Sequence, residues 1–533
     1  MSWRFYLLFG LIGILPLALT AVFQASPGYM DADYYYAGGL RLAEGKGFSE
    51  EILWNYLDDP AGLPHPSHGY WMPMVSILAA LGMLVTGQQQ FSSARLAFIL
   101  VAAAIPPITG GLAWRLSGRK RNAVLAAALA CLPAFYLPFL PVSDAFGVSM
   151  LLGGVFFLVI PRPEDTNLSR KAVIFRSFLL GLLGGLMQLT RADGALWAPV
   201  ALLAVTVICL ENYVHKENKH LLVSAWLACL AGYGLVMAPW LLRNQAVFGS
   251  WLAPGGSRAL WITNYDELFI YPAGLLTPGR WWEAGLGAIL RARIWATGLN
   301  LQTALAVQGL IFLAPLVLLG LWHARKDRRV QLAGVSWLLI FLTMTVIFPF
   351  QGARGGFFHS GAALQPFFWA MAPAGLEAFL EWGKRWRGWR VDRARPVFSI
   401  GLGILALCLT VFILYGRLRP GKLGGTAWDD PYNRQMRVEQ ALQGLGVPKA
   451  QIIMANNSPG FYVASRRPAI SIPYGDLQTV CLVARRYQAG YLLLDIDQIQ
   501  GESELFLHPA DRQCLHYIDT FADVRVFQVL GPG

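Results

Sequence analysis

Two aspartates two residues apart, Asp31 and Asp33 in GYMDADYYYAGG (28–39), follow directly on an apolar N-terminal segment. A carboxylate in a partly dry setting, its pKa raised by burial, can take the proton from a hydroxyl as general base. Other chemistry-bearing side chains stand at the ends of other apolar blocks. Asp144 lies in PVSDAFG (141–147), Arg191 and Asp193 in LTRADGALW (189–197), and Arg243 with Asn244 in APWLLRNQAVFGSW (238–251). Arg354 and His359 lie in FQGARGGFFHSGAALQP (350–366). Ionisable groups at bilayer depth are costly and are usually paired or functional. Arginines in bidentate reach, with a histidine, suit a phosphate or diphosphate leaving group at a membrane surface. Arg191 could equally close a local ion pair with Asp193.

The elements that position these groups are membrane helices. The chain has 533 residues, 55% hydrophobic and only 14% charged, where soluble domains carry about 25% charged residues. Its net charge of +12 sits in short clusters between apolar blocks, such as RLSGRKR (115–121), HARKDRR (323–329) and KRWRGWRVDRAR (384–395). That is the pattern of cytoplasmic loops, not of a nucleic-acid patch. Spans are expected at 5–24, 94–114, 122–141, 145–161, 173–190, 194–210, 221–242, 304–322, 330–350, 360–381 and 397–416. The segment 73–87 is expected as an interfacial or re-entrant helix, because counting it as a span would invert the sign of every later loop. The fold class is then an all-α polytopic membrane domain of about eleven helices over 1–416, with outer loops 25–93 and 243–303. The N-terminus is inside, and every residue of the opening paragraph falls on the outer face. The tyrosines 34–36 suit the headgroup zone and would hold loop one against the membrane.

The tail, 417–533, reads as a small extracytoplasmic α/β domain, with β-rich runs at QIIMANN (451–457), AGYLLLDID (489–497) and DVRVFQVL (523–530). Being outside, it could carry a Cys481–Cys514 disulfide; a pair of buried thiols is the alternative. ANNSPG (455–460) and DID (495–497) read as turns. GLLGGL (181–186) and GGVFF (153–157) read as close helix packing. The aromatic loop 263–285 reads as a cover over the site.

Taken together, these residues resemble the GT-C fold membrane glycosyltransferases, particularly bacterial relatives of the protein mannosyltransferases and aminoarabinose transferases. The carriers are DADYYYAGGLRLAEGKGF (31–48), TRADG (190–194), PWLLRNQAVFG (239–249) and GGFFHSGAALQPF (355–367). The resemblance, over roughly 1–370, implies an inverting sugar transfer from a polyprenyl-phosphate donor to an acceptor hydroxyl, in a bacterial inner membrane. It implies Asp31 as base, with Asp33 as rival, and Asp144 as the second-loop acid. Arg243, Arg354, His359 and Arg191 become donor-phosphate candidates. A divalent metal, Mg or Mn, could be held by Asp31 and Asp144. The partners implied are a lipid-linked sugar donor, a lipid, glycan or protein acceptor, and membrane lipids, with no nucleic acid. The aminoarabinose branch carries Glu-Lys-Pro where this chain reads GYWMPM (69–74), so this chain does without that lysine's phosphate contact or uses another cation; His65 and His68 are nearby, although a loop histidine pair reads more readily as structural. A transporter or flippase for lipid-linked saccharides is the alternative function; the two long polar loops and the lack of inverted repeats weigh against it.

Overall fold

A computed structural model describes residues 1–162, 164–165, 168–213, 219–495 and 503–530. It divides into two compact units, a helical one of Met1–Val22, Leu96–Leu242 and Ala292–Gly416, and a mixed one of Phe23–Arg95, Arg243–Arg291 and Arg417–Gly533.

In the helical unit each of the eleven expected segments contains helix. Among the described residues seven helices of the chain are long and apolar enough to cross a membrane, and Met74–Thr86, Ala145–Val159 and Ala314–His323 are shorter apolar helices. Helix Val391–Leu418 leaves Ile400, Ile404, Val411 and Phe412 exposed. An apolar face of that extent is stable against lipid and not against water. The chain is a multi-pass membrane protein.

Small residues set how closely these helices approach. A Cβ on Gly375 would sit 1.7 Å from the Leu316 carbonyl oxygen, and one on Gly320 2.4 Å from that of Met371. Helices Ala314–His323 and Gln365–Arg387 therefore touch backbone to backbone. The glycines of GLLGGL and GGVFF behave as expected, Gly181 against the Cys229 carbonyl and Gly153 against that of Ala363.

The mixed unit is built on a six-stranded sheet. Its spatial order is Ile52–Leu53, Ala469–Ser471, Ile452–Ala455, Ala489–Leu494, Val524–Val529, Leu515–Phe521. The first four are mutually parallel and the last two add antiparallel. One edge strand thus comes from loop one, with Ile52 opposite Ala469. The loop 263–285 joins the same unit: Ile270 bridges Tyr474, and buried Glu267 binds Arg280 at 2.5 Å. Cys481 and Cys514 form a disulfide.

The start of loop one is clamped by the tail. Asp429 accepts from the backbone N–H groups of Ala25 and Ser26, and the Trp428 indole donates to the Ser26 carbonyl. Gly28 has φ +95° and its missing Cβ would fall 2.2 Å from the Trp428 ring nitrogen, so only glycine fits. Helix Met30–Ala43 then packs on Met74–Thr86 through Gly39, whose Cβ would lie 2.6 Å from that of Ala79. The tyrosines correct the expectation of a headgroup anchor. Tyr34, Tyr35 and Tyr36 are 1%, 1% and 7% exposed, with Tyr34 against Trp71 and Tyr36 against Phe91. They form the interior of the unit, because a helix three sides of which meet protein buries consecutive residues.

Candidate functional site

Asp31 and Asp33 occupy the first turn of helix Met30–Ala43, where the helix dipole favours carboxylates. A spacing of two turns them to different sides of a helix. Asp33 is buried and Asp31 is partly exposed. Asn457 Nδ2 donates to Asp33 Oδ2 at 3.3 Å, and a Cβ on Gly460 would come within 2.9 Å of the same oxygen. Burial raises the Asp33 carboxyl to about 8; the Asn457 bond opposes this and the Asp31 charge adds to it. A pKa near 8 leaves Asp33 largely protonated at neutral pH, so only its ionised fraction could serve as base.

Arg243 spends its guanidinium on the backbone of loop one. It donates to the Ser67 carbonyl at 2.8 Å, to that of Phe48 at 3.4 Å, and to Asn244 Oδ1 at 3.2 Å. Of the two readings open for His65 and His68, substitute cations or structural residues, their contacts fit the structural one. His68 is buried between the hydroxyls of Ser67 (2.7 Å) and Ser76 (3.0 Å), and burial drives its pKa down to about 3. Burial likewise lowers that of His65, against the pull of Asp58. His68 is therefore neutral at neutral pH.

A further cluster was not singled out from sequence. His65 Nε2 lies 2.9 Å from the Ile52 carbonyl and 3.3 Å from Glu50, while Nδ1 is 3.7 Å from Asp58. Burial raises the Glu50 carboxyl well above the ordinary carboxylate range and raises that of Asp58 as well, against the pull of His65. These three line a small pocket with Trp54, Asn55 and Tyr70. Glu50 in GFSEEILW has no pattern that distinguishes it from the neighbouring, half-buried Glu51; only the fold buries it.

In the helical unit Asp144, 1% exposed, caps helix Ala145–Val159 by accepting from the Ala145 N–H. Its other oxygen lies 3.2 Å from His359 Nε2. His359 Nδ1 is 2.9 Å from the Gly355 carbonyl, which can only accept, so Nδ1 carries a proton. The Nε2 contact to a carboxylate then requires one more proton, held on either partner. Phe146 stacks on the imidazole at 4.0 Å. Gly355, at φ +115°, gives the π-turn Gly352–Gly356 its bend and so aims the carbonyl at His359. Arg354 is exposed on that turn. Arg191 Nε pairs with Asp193 at 2.9 Å, the local ion pair that the sequence left open.

Of the site residues expected from sequence, Asp31, Asp33 and Arg243 belong to the mixed unit, and Asp144, Arg191, Arg354 and His359 to the helical unit. Among the described residues no three His, Cys, Asp or Glu side chains are grouped so as to hold a metal ion.

The architecture is the GT-C fold, shared with two solved membrane proteins. The oligosaccharyltransferase AglB from Archaeoglobus fulgidus, in complex with an inhibitory peptide and a dolichol-phosphate, superposes with a TM-score of 0.59 at 13% identity, over 93% of this chain and 70% of AglB. ArnT from Cupriavidus metallidurans superposes over 99% of both chains in its apo state, with a TM-score of 0.52 at 12% identity. Its form bound to undecaprenyl phosphate does so over 100% of both, at 0.50 and 13%. At such identities the likeness is one of fold. No family model matches the sequence, and no curated protein does.

Proposed function

We propose that this protein is an integral membrane glycosyltransferase that moves a sugar from a polyprenyl-phosphate donor to an acceptor hydroxyl. The observation that carries the reading is the fold shared along nearly the whole chain with two proteins described with dolichol-phosphate and with undecaprenyl phosphate. In this reading Asp31 removes the acceptor proton and the acceptor oxygen bonds to the anomeric carbon from the face opposite the leaving group. The bond from that carbon to the phosphate oxygen breaks, and its electron pair leaves with the polyprenyl phosphate. The configuration inverts. Asp31 is preferred to Asp33 because the latter is buried and mostly protonated. Asp144 and His359 act as one acid–base pair, and Arg354, on an exposed turn, is the donor-phosphate candidate; Arg243 and Arg191 carry contacts that suit support of the backbone and of a helix turn.

Eleven spans with the N-terminus cytoplasmic, and 417–533 as an extracytoplasmic domain of a bacterial inner membrane, belong to the same reading. The basic clusters support this orientation, as does the Cys481–Cys514 disulfide, which persists in oxidising compartments.

The test is transfer of labelled sugar from polyprenyl phosphate by purified protein in nanodiscs. Asp31→Asn is expected to lower turnover by about 10²-fold or more, the usual size of a general-base contribution, with the protein still folded. Retained turnover in Asp31→Asn with loss in Asp33→Asn moves the base to Asp33; retention in both removes the loop-one base.

A further inference from the structure

The motifs ANNSPG (455–460) and DID (495–497) take no part in the transfer chemistry above, yet each begins where a parallel strand ends. Ile496 and Asp497 of the second lie outside the described residues; Asp495 lies within them. Strand Ile452–Ala455 runs between Ala469–Ser471 on one side and Ala489–Leu494 on the other. From the central strand the chain reaches the first neighbour through helix Ser458–Ser465. It then crosses to the other side through helix Leu477–Arg486. The connections reverse direction at the central strand. In open α/β sheets, ligands bind in the crevice outside the carboxyl ends of strands at such a reversal.

The residues at that place are polar and mutually braced. Asn456 Oδ1 accepts from the Asp495 backbone N–H at 3.1 Å, joining the two strand ends. Arg434, from helix Asp430–Gly444, donates through Nη1 to both Asp495 oxygens at 3.1 and 3.2 Å. Its Nε is buried without a hydrogen-bond partner among the described residues, while the side chain as a whole is 21% exposed, so a ligand oxygen would meet the guanidinium at its exposed edge. Asn457 meets Asp33, and half-buried Tyr432 lies within the electrostatic reach of Asp33.

This chemistry selects against phosphate. An anion at a strand–helix turn needs free backbone N–H groups. Here Asn457 takes the Gly460 N–H at 3.0 Å, the Phe461 N–H binds the Asn457 carbonyl at 2.9 Å, and Pro459 has none. Two carboxyl side chains, Asp33 and Asp495, stand beside it. Sugar hydroxyls donate and accept at once, which suits a mixture of carboxyl, amide and guanidinium groups with an aromatic ring at the edge. We propose that this crevice, formed by Asp33, Tyr432, Arg434, Asn456, Asn457 and Asp495, binds an uncharged saccharide ring. In the proposed transferase it would hold the glycan of the acceptor; the binding itself does not depend on that reading, so binding and transfer can fail separately.

The experiment uses the full chain in phosphatidylcholine nanodiscs, which avoids sugar-headed detergents. Saturation-transfer difference NMR is recorded with the methyl glycosides of glucose, galactose, mannose, N-acetylglucosamine and arabinose. At least one glycoside is expected to give a signal that falls about five-fold or more in both Arg434→Gln and Asp495→Asn. Inorganic phosphate is expected to leave that signal unchanged. Should either variant melt well below the parent, Tyr432→Ala, half-buried and within electrostatic reach of Asp33, takes its place with the same loss expected. No signal from any of the five glycosides overturns the proposal, as does a signal indifferent to the variants or one displaced by phosphate. Loss of sugar transfer in Asp31→Asn with glycoside binding intact leaves it standing.

Discussion

Side chains two residues apart in the sequence can meet different dielectric surroundings, and in this chain that separates Asp31 from Asp33. Asp33 has a folded pKa of about 8 against an ordinary 3.8. Below 3.8 both folded and unfolded chains hold the proton. As pH rises from there toward about 8 only the folded chain keeps it, so the unfolded state binds fewer protons and stability falls with pH. Above about 8 the loss is complete. Asp33→Asn is therefore expected to flatten the pH dependence of thermal unfolding in that window, by up to about 1.4 kcal/mol per pH unit, read by tryptophan fluorescence at a series of pH values. An unchanged slope would mean that Asp33 is ionised when folded. The Asp144–His359 pair makes a second expectation. Asp144→Ala removes a helix cap and takes the partner from a half-buried imidazole, a cost of about 3 kcal/mol. Adding His359→Ala should restore part of it, so the two substitutions are non-additive; additive losses in melting temperature would dissolve the pair. The residue types were legible in the sequence at both places. The pairing was not, because Asp144 and His359 are 215 residues apart and no local period links them.

Elements were read more surely than side chains, for a physical reason: an apolar run of spanning length states its own surroundings. Helices occur in all eleven expected segments, and the small residues of GLLGGL and GGVFF do face carbonyl oxygens. Loop elements were harder. The three tyrosines of helix Met30–Ala43 carry polar tips that fit an interface equally well, and only the packing of Met74–Thr86 and the tail onto that helix decides for burial. The glycines allow a test at this scale. Gly375→Ala drives a methyl group into the Leu316 carbonyl, at 1.7 Å, and should destabilise by about 1–3 kcal/mol as overpacking, visible as a lowered melting temperature and a poorer yield of monodisperse protein. Gly401→Ala, on helix Val391–Leu418 with nothing within 4 Å, should be neutral. Equal tolerance of both would show that the helices can part at Gly375.

At the scale of the whole chain, the boundary expected near residue 416 marks a change of composition, while the compact units follow contacts. Composition divides the sequence by solvent: apolar before 416, polar after. Packing instead joins the tail to both long loops, since Ile52–Leu53 adds an edge strand to the tail's sheet, Ile270 bridges Tyr474, and Asp429 with Trp428 holds residues 25–28. Such pairings leave no local trace, because an edge strand of two residues is too short for a period to register. They do make a prediction about dependence. A chain ending at 416 lacks five of the six strands, the partner Asn457 of Asp33, and the clamp on Gly28. Its spans keep their own cores, so it should still insert in membranes. Loop one, however, would lose the tail's cover of Tyr36 and Ile52, together with the partners of the lost strand's backbone groups, and should sample open states at little cost. Limited trypsin digestion of the truncated chain is expected to cut after Arg41, whose buried side chain lies on a helix that the full chain holds through the tail contacts Arg466–Glu44 and Asn457–Asp33, whereas exposed Lys46 is open to cleavage in both chains. Equal protection in both chains would mean that residues 23–95 fold without the tail, and the carboxylates of the first turn of Met30–Ala43 would then be positioned by loop one alone.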